Sequence, residues 1–238
     1  MATRTAHELS YDIEKVLERH LKRLRVPKAR TVAQDIAPDV MNQIPSEAFD
    51  PKQVWSIGQI FFHGDVEQEH VRDTQLEIVT MHHNLSKATP ITLYLSSFGG
   101  DCFAGLALIS TIQEIRRAGR RVNVHIQGCA MSMGSLIAQV ADLRTMEPGA
   151  WFMVHEVSTW LGHSKSFEVR DEAEYIERLE QRLFSLYAHR TGKPVEFWRK
   201  LFSRKDVYLS SEQALEYGLI DEISLVPAYP RVRRRKVA

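Results

Sequence analysis

The sequence has few of the features that mark membrane, disulfide-rich or nucleic-acid-binding proteins. Its 238 residues include only two cysteines, which excludes a disulfide framework and is compatible with a reducing compartment. Its formal net charge is +1, so no overall field attracts nucleic acid or anionic lipid. No uncharged run approaches the roughly 20 residues that span a bilayer, and the N-terminus has no apolar stretch of signal-peptide length. We therefore expect a cytoplasmic protein that binds neither nucleic acid nor membrane.

Proline and charge patterning divide the chain into three parts. Residues 1–54 are predicted to form a charged amphipathic helix followed by a proline-punctuated linker. Residues 55–224 form the compact domain, and residues 225–238 are a basic, solvated C-terminal tail. The apolar residues of the first helix recur at helical spacing: Leu9, Ile13, Val16, Leu17, Leu21 and Leu24.

Strand and helix patterns alternate through the first half of the compact domain. Short apolar runs at 57–62, 91–95 and 122–126 predict strands, while residues 67–86 and 103–118 carry helical spacing. Strands that alternate with helices favour a parallel sheet joined by helical crossovers. The fold class is therefore α/β.

A much longer helix is predicted over residues 167–190. At about 1.5 Å per residue it would extend roughly 36 Å, which exceeds what the core of this domain needs. We interpret the surplus length as a contact between subunits. Its apolar stripe consists of Ile176, Leu179, Leu183 and Leu186.

Ser132 is the leading candidate for a catalytic nucleophile. It lies in a turn of small residues, 128–134, that opens an apolar helix, and such a turn exposes a side chain beside free backbone N–H groups. A serine hydroxyl needs a neutral imidazole to accept its proton, and His155 follows an apolar strand that could aim its ring into a cleft. Asp206 could hold the imidazole tautomer. These residues together predict a serine peptidase.

A backbone oxyanion site can be assigned in the same way. The N–H groups of Met133, directly after the serine, and Gly100, in a glycine pair, suit the stabilisation of developing negative charge. Asp101 and Cys102 follow this pair and are the predicted substrate-binding residues. Metal-ligand and phosphate-loop patterns are absent from the sequence, so we expect no metal and no cofactor.

Each of these residues also has a structural interpretation when taken alone. Small residues around Ser132 are typical of close helix packing, and Gly99–Gly100 is typical of a simple turn. His155 alone resembles a core histidine, and Asp206 alone resembles a charge on a solvated loop. Their ordered combination favours a catalytic site.

These motifs, in this order, resemble the proteolytic subunit of the Clp protease, ClpP. The resemblance covers residues 55–224. The matching segments are IFFHG at 60–64, LYLSSFGG at 93–100, AMSMG at 130–134, MVH at 153–155 and ALEYGLID at 214–221.

The resemblance implies a ClpP/crotonase-like spiral of ββα units, in which helix 167–190 is the protruding handle between rings. It implies the same roles for Ser132, His155, Asp206, Gly100 and Met133 as the residue chemistry does. It also implies a polypeptide substrate and a homo-oligomer of heptameric, stacked rings. An AAA+ unfoldase is a possible partner under this resemblance, but polar residues occupy the positions of the family's apolar docking pockets, which argues against standard docking. These positions are Thr92, Glu114, His125 and Thr145.

Other functions stay open at this point. Phe98 stands where the family usually has proline, and residues 99–105 are similar to phage-encoded relatives, which favours a prohead maturation protease acting on capsid or scaffold protein. A non-catalytic ring subunit would use the fold only for assembly. An acyl-CoA enzyme of the crotonase fold would need paired carboxylates in place of the Ser132 and His155 pair.

Overall fold

The computed structural model describes residues 57–159, 162 and 165–224. The predicted helix and linker of residues 1–54 and the predicted tail of residues 225–238 lie outside the described residues. The division into three parts therefore stays a prediction.

Strands and helices alternate along the described residues, as the hydrophobic patterns predict. The strands are β1 (Gln59–His63), β2 (Ile91–Ser97), β3 (Val122–Met131), β4 (Leu143–Met146), β5 (Trp151–Val154), β6 (Val207–Leu209) and β7 (Glu222–Ile223). The helices are α1 (Gln68–Asn84), α2 (Cys102–Arg117), α3 (Met133–Gln139), α4 (Ser166–Thr191), α5 (Val195–Phe202) and α6 (Ser211–Glu216).

The strands form a largely parallel sheet. Its main path runs β1-β2-β3-β4-β7, β5 also pairs with β3, and only β6 joins in the antiparallel sense, against β5. Alternate residues of the central strands are buried, as in β2, where Ile91, Leu93 and Leu95 are inaccessible to solvent. This alternation places one face of the sheet against the core and leaves the other face half-buried. The α/β fold class is confirmed.

Strand β3 is longer than its sequence pattern predicts. We expected it to end at Ile126, because Gly128 interrupts the apolar run. Gly128 has a positive φ of 72°, and the strand continues beyond it by pairing with a second neighbour. The first half of β3 pairs with β4, whereas Cys129 to Met131 pair with β5. Gly128 therefore bends the strand without ending it, and β3 runs directly into Ser132.

Helix α4 has the predicted length, and its two halves lie in different environments. Its second half packs into the core of the domain, where Leu183, Phe184 and Tyr187 are buried. The helix ends at Gly192, whose left-handed φ of 73° lets its N–H reach the carbonyl of Ala188. No helix in the described part of the chain is long and apolar enough to cross a membrane. The first half of α4 exposes three large apolar side chains: Phe167, Val169 and Tyr175.

The buried guanidinium of Arg144 joins the segment just before β7 to strand β4. Arg144 on β4 is 3% exposed, and its Nη2 and Nε atoms lie 2.6 and 3.0 Å from the two carboxylate oxygens of Asp221. The backbone N–H of Arg144 donates to the same carboxylate at 2.8 Å, and Arg190 of α4 adds a further hydrogen bond of 3.0 Å. Burial disfavours ionisation of Asp221, but the hydrogen bonds and charges of Arg144 and Arg190 outweigh it and lower its pKa to about 2.

This depressed pKa predicts a specific pH dependence of stability. A carboxyl that ionises more readily in the folded state stabilises the fold above its unfolded pKa of about 3.9 and loses that effect as pH falls towards its folded pKa. We expect Asp221→Asn to lower the free energy of unfolding most at pH 5 and above, with the difference from the parent shrinking between pH 4 and 2. Urea unfolding across this range measures it, with exposed Glu222→Gln as the control. A difference that stays constant with pH would contradict the assignment.

Candidate active site

Ser132 occupies a strained turn between β3 and α3. Its φ of 51° and ψ of −123° lie in a region that side chains other than glycine rarely adopt. Such strain persists only where the surroundings hold the residue in place, and it is typical of functional sites. The Ser132 N–H donates to the carbonyl of Met153 at 2.9 Å, which ties the turn to β5. The sheet therefore presents the hydroxyl at the end of a rigid strand.

His155 lies directly after β5 and faces this hydroxyl. Its Nε2 atom is 2.8 Å from Oγ of Ser132. For Nε2 to accept the hydroxyl proton, the ring must be neutral and carry its own proton on Nδ1. The adjacent parallel ends of β3 and β5 thus bring the predicted nucleophile and the predicted base into hydrogen-bond contact.

Asp206 lies on the opposite side of the imidazole. Its Oδ1 atom is 3.9 Å from Nδ1 of His155, which is longer than a direct hydrogen bond, and its side chain is 56% exposed. The antiparallel pairing of Val207 with Val154 brings it there. Sites without substrate often have catalytic hydrogen bonds that are long, and a water can bridge this gap. Asp206 therefore lies beside Nδ1 of His155, the nitrogen that faces away from Ser132, without a direct hydrogen bond.

Both predicted oxyanion donors border the same cleft as Ser132 and His155. An isolated parallel bridge fixes the Gly100 backbone, because the N–H of Val66 donates to Gly99 and the carbonyl of Val66 accepts from Asp101. In such a bridge the hydrogen bonds flank the central residue, so the N–H of Gly100 points away from Val66. This role of Val66 could not be predicted from the sequence, since a single apolar residue after a loop has no periodicity.

The two predicted substrate-binding residues differ in their contacts. The carboxylate of Asp101 accepts a 2.7 Å hydrogen bond from the N–H of Ala104 and caps helix α2. Cys102 is half-buried and borders the cleft. Apolar side chains also line the cleft, among them Leu136, Val154, Leu183 and Phe184. Substrate contacts by Asp101 and Cys102 stay predictions.

Cys102 is a thiol at this cleft, and its chemistry differs from that of the Ser132 hydroxyl. Burial, and then the charge of Asp101, raise the pKa of the Cys102 thiol above its ordinary value. A thiol needs its thiolate form to attack, so this environment keeps Cys102 unreactive. The imidazole of His155 instead contacts Ser132. The arrangement favours hydroxyl over thiol chemistry.

Glu180 of α4 supports the site and was missed by sequence analysis. Its carboxylate is largely buried and accepts a 2.8 Å hydrogen bond from the N–H of Val157. This bond anchors the segment that follows His155 to the long helix. A lone carboxylate among the apolar stripe positions, between Leu179 and Leu183, was the signal in the sequence that could have identified it.

Comparison with known proteins places this site in a family. The family model described as Clp protease matches residues 47–226. The chain belongs to the Clp protease family. An ATP-dependent Clp protease proteolytic subunit from Chaetosphaeridium globosum is 28% identical over 169 residues, which cover 70% of this chain and 82% of that protein. The predicted resemblance is thereby confirmed, and peptide-bond hydrolysis is the activity class that Clp protease family membership indicates.

Proposed function

We propose that this member of the Clp protease family is a serine endopeptidase. Ser132 is the nucleophile, His155 the general base, and Asp206 orients the imidazole and stabilises its protonated form. The backbone N–H groups of Gly100 and Met133 are the oxyanion donors. The 2.8 Å contact between Nε2 of His155 and Oγ of Ser132 carries the proposal.

The reaction follows from these positions. His155 takes the hydroxyl proton as Oγ of Ser132 attacks the peptide carbonyl carbon, and the carbonyl oxygen becomes an oxyanion facing Gly100 and Met133. The intermediate then collapses, the C–N bond breaks, and His155 gives its proton to the leaving amine. Water next attacks the ester carbon while His155 accepts its proton. The second tetrahedral intermediate collapses, the bond between the carbonyl carbon and Oγ of Ser132 breaks, and His155 returns the proton to Oγ as the acid product leaves.

We also propose that the peptidase works as a homo-oligomer of rings on a polypeptide substrate. The exposed apolar side chains in the first half of α4, such as Phe167 and Tyr175, support a contact between subunits. We expect that an unfoldase does not dock in the standard way on the half-buried face of the sheet. On this face His125 contacts Thr145 at 2.7 Å and Glu147 at 3.0 Å. A polar network of this kind does not offer an apolar pocket.

Fluorophosphonate labelling tests the proposed nucleophile. We expect the reagent to modify Ser132 in the parent, as located by peptide mass spectrometry, and to modify neither Ser132→Ala nor His155→Ala. Ser158→Ala is the matched control, because Ser158 borders the same cleft and has no proposed catalytic role. Peptide hydrolysis should fall by about 10⁴-fold or more in both catalytic variants, since nucleophile and base act as one unit.

Four results would reject this function. A folded parent that takes up no label, or one that reacts at Ser158, would remove the assigned nucleophile. Full labelling of His155→Ala would show that the imidazole does not activate the hydroxyl. Activity that iodoacetamide abolishes through Cys102, with Ser132→Ala still active, would identify a thiol enzyme.

A further inference from the structure

A buried chain of hydroxyl groups connects the long helix to the turn that holds Ser132. The phenolic oxygen of Tyr187, on α4, lies 2.6 Å from Oγ of Ser135, on α3. Oγ of Ser135 in turn donates to the carbonyl oxygen of Ser132 at 2.5 Å. Tyr187 is 1% exposed and Ser135 is inaccessible to solvent, so water does not compete for these bonds.

The donors in this chain point in one direction. Ser135 has one hydroxyl proton and gives it to the Ser132 carbonyl, so the Tyr187 hydroxyl must donate to Ser135. Burial raises the pKa of Tyr187 well above its usual range, which keeps that proton in place at any working pH. The backbone N–H of Ser135 also donates to the Ser132 carbonyl, at 3.0 Å. This carbonyl is therefore held by two donors, one of which is itself supported by Tyr187.

Holding this carbonyl also orients the group on the other side of its peptide bond. The carbonyl of Ser132 and the N–H of Met133 belong to one planar, trans peptide unit, in which they point in opposite directions. A carbonyl fixed towards Ser135 thus turns the N–H of Met133 away from Ser135. Because the φ of Ser132 is strained, the turn needs such a restraint to keep this orientation.

We propose that Tyr187 and Ser135 are positioning residues that aim the Met133 N–H at the oxyanion. This inference rests on the proposed function, in which Met133 is an oxyanion donor. It links α4 to the chemistry through the side chain of Tyr187, so the seating of the long helix sets the geometry of the donor. Neither residue contacts the reacting atoms.

Variants that remove single hydroxyl groups test this assignment. Tyr187→Phe and Ser135→Ala keep the packing nearly unchanged, and Tyr217→Phe is the control because Tyr217 is half-buried and lies outside the cleft lining. We expect the rate constant for fluorophosphonate labelling of Ser132, and kcat for a peptide, to fall about tenfold in Ser135→Ala and about fivefold in Tyr187→Phe, with KM unchanged. The double variant should be no slower than Ser135→Ala, because the tyrosine acts through the serine.

Hydrogen exchange of residues 128–139 provides a readout that does not depend on activity. Faster exchange in both single variants, confined to this segment and absent in Tyr217→Phe, supports the restraint. Labelling and exchange that both match the parent would overturn it, as would rate losses that add in the double variant. A parent that takes up no label, but whose variants exchange faster, would reject the peptidase function and keep the restraint on the turn.

Discussion

Replacing Gly99 with alanine is expected to reduce peptide hydrolysis by at least about 10²-fold. A Cβ atom at Gly99 would lie 2.6 Å from Cβ of Ser132 and 2.9 Å from the carbonyl oxygen of Met131, distances that the packed site cannot accommodate. The backbone must move to relieve these contacts, and a displacement of about 1 Å at a catalytic group can cost 10²-fold in rate. The rate constant for fluorophosphonate labelling should fall with it.

Gly64→Ala is the control that distinguishes the effect of the steric clash from the effect of the strained backbone conformation. Gly64 and Gly99 both have positive φ values, 121° and 102°, in which an added side chain is strained. Among the described residues other than its two chain neighbours, no atom lies within 4 Å of a Cβ at Gly64. We expect Gly64→Ala to lower the melting temperature while keeping nearly parental activity per folded molecule. Equal losses of activity in the two variants would show that strain, and not the approach of Ser132, explains the need for glycine at position 99.

The largest loss of stability is expected from Arg120→Met. Arg120 is 2% exposed, and its guanidinium donates to the carbonyls of His82, Leu85, Ser86 and Thr89 at 2.6 to 3.0 Å. These carbonyls lie at the C-terminal end of α1 and the loop after it, where the helix has acceptors without internal partners. Methionine fills much of the space but donates nothing, so these four carbonyls lose their charged donor. We expect a loss of about 4 kcal/mol, or roughly 10 °C in melting temperature.

Arg121→Met is the matched control, because Arg121 is the next residue in the chain and its side chain is exposed. Its melting temperature should stay within about 2 °C of the parent, as is usual for a surface substitution. Thermal melting, monitored by circular dichroism, compares the two variants. Similar melting temperatures for both variants would mean that water satisfies the α1 carbonyls and that Arg120 is not a structural cation.

Local chemistry and hydrophobic period were sufficient to predict the pair at the centre of the site. Ser132 follows a strand and His155 follows another, and in a parallel sheet such residues meet at one edge. The position of Asp206 depends on β6, whose antiparallel pairing with β5 joins residues that are about fifty positions apart. No local pattern specifies that pairing, so sequence analysis found Asp206 by its residue type and could not place it.

The supporting residues were harder to predict because their roles depend on burial. Tyr187 and Glu180 lie on the same face of helix α4 as the leucines of that helix, and the sequence pattern favours apolar packing for this face. Their polar atoms matter only because α3 and the segment after β5 lie against them. The continuation of β3 beyond Gly128 was hard to predict for a similar reason. A glycine in an apolar run indicates an irregularity in the strand, but it does not show which other strand pairs with the residues that follow.

The double pairing of β3 gives the site an unusual kind of rigidity. Ser132 and His155 follow directly on hydrogen-bonded neighbouring strands whose spacing, about 4.8 Å, is that of any two strands. No flexible loop lies between either strand and its residue. The entropy lost in bringing hydroxyl and imidazole together is therefore lost when the sheet forms, during folding, and substrate binding does not have to supply it. The backbone positions that carry the two groups can separate only if the ladder between β3 and β5 opens.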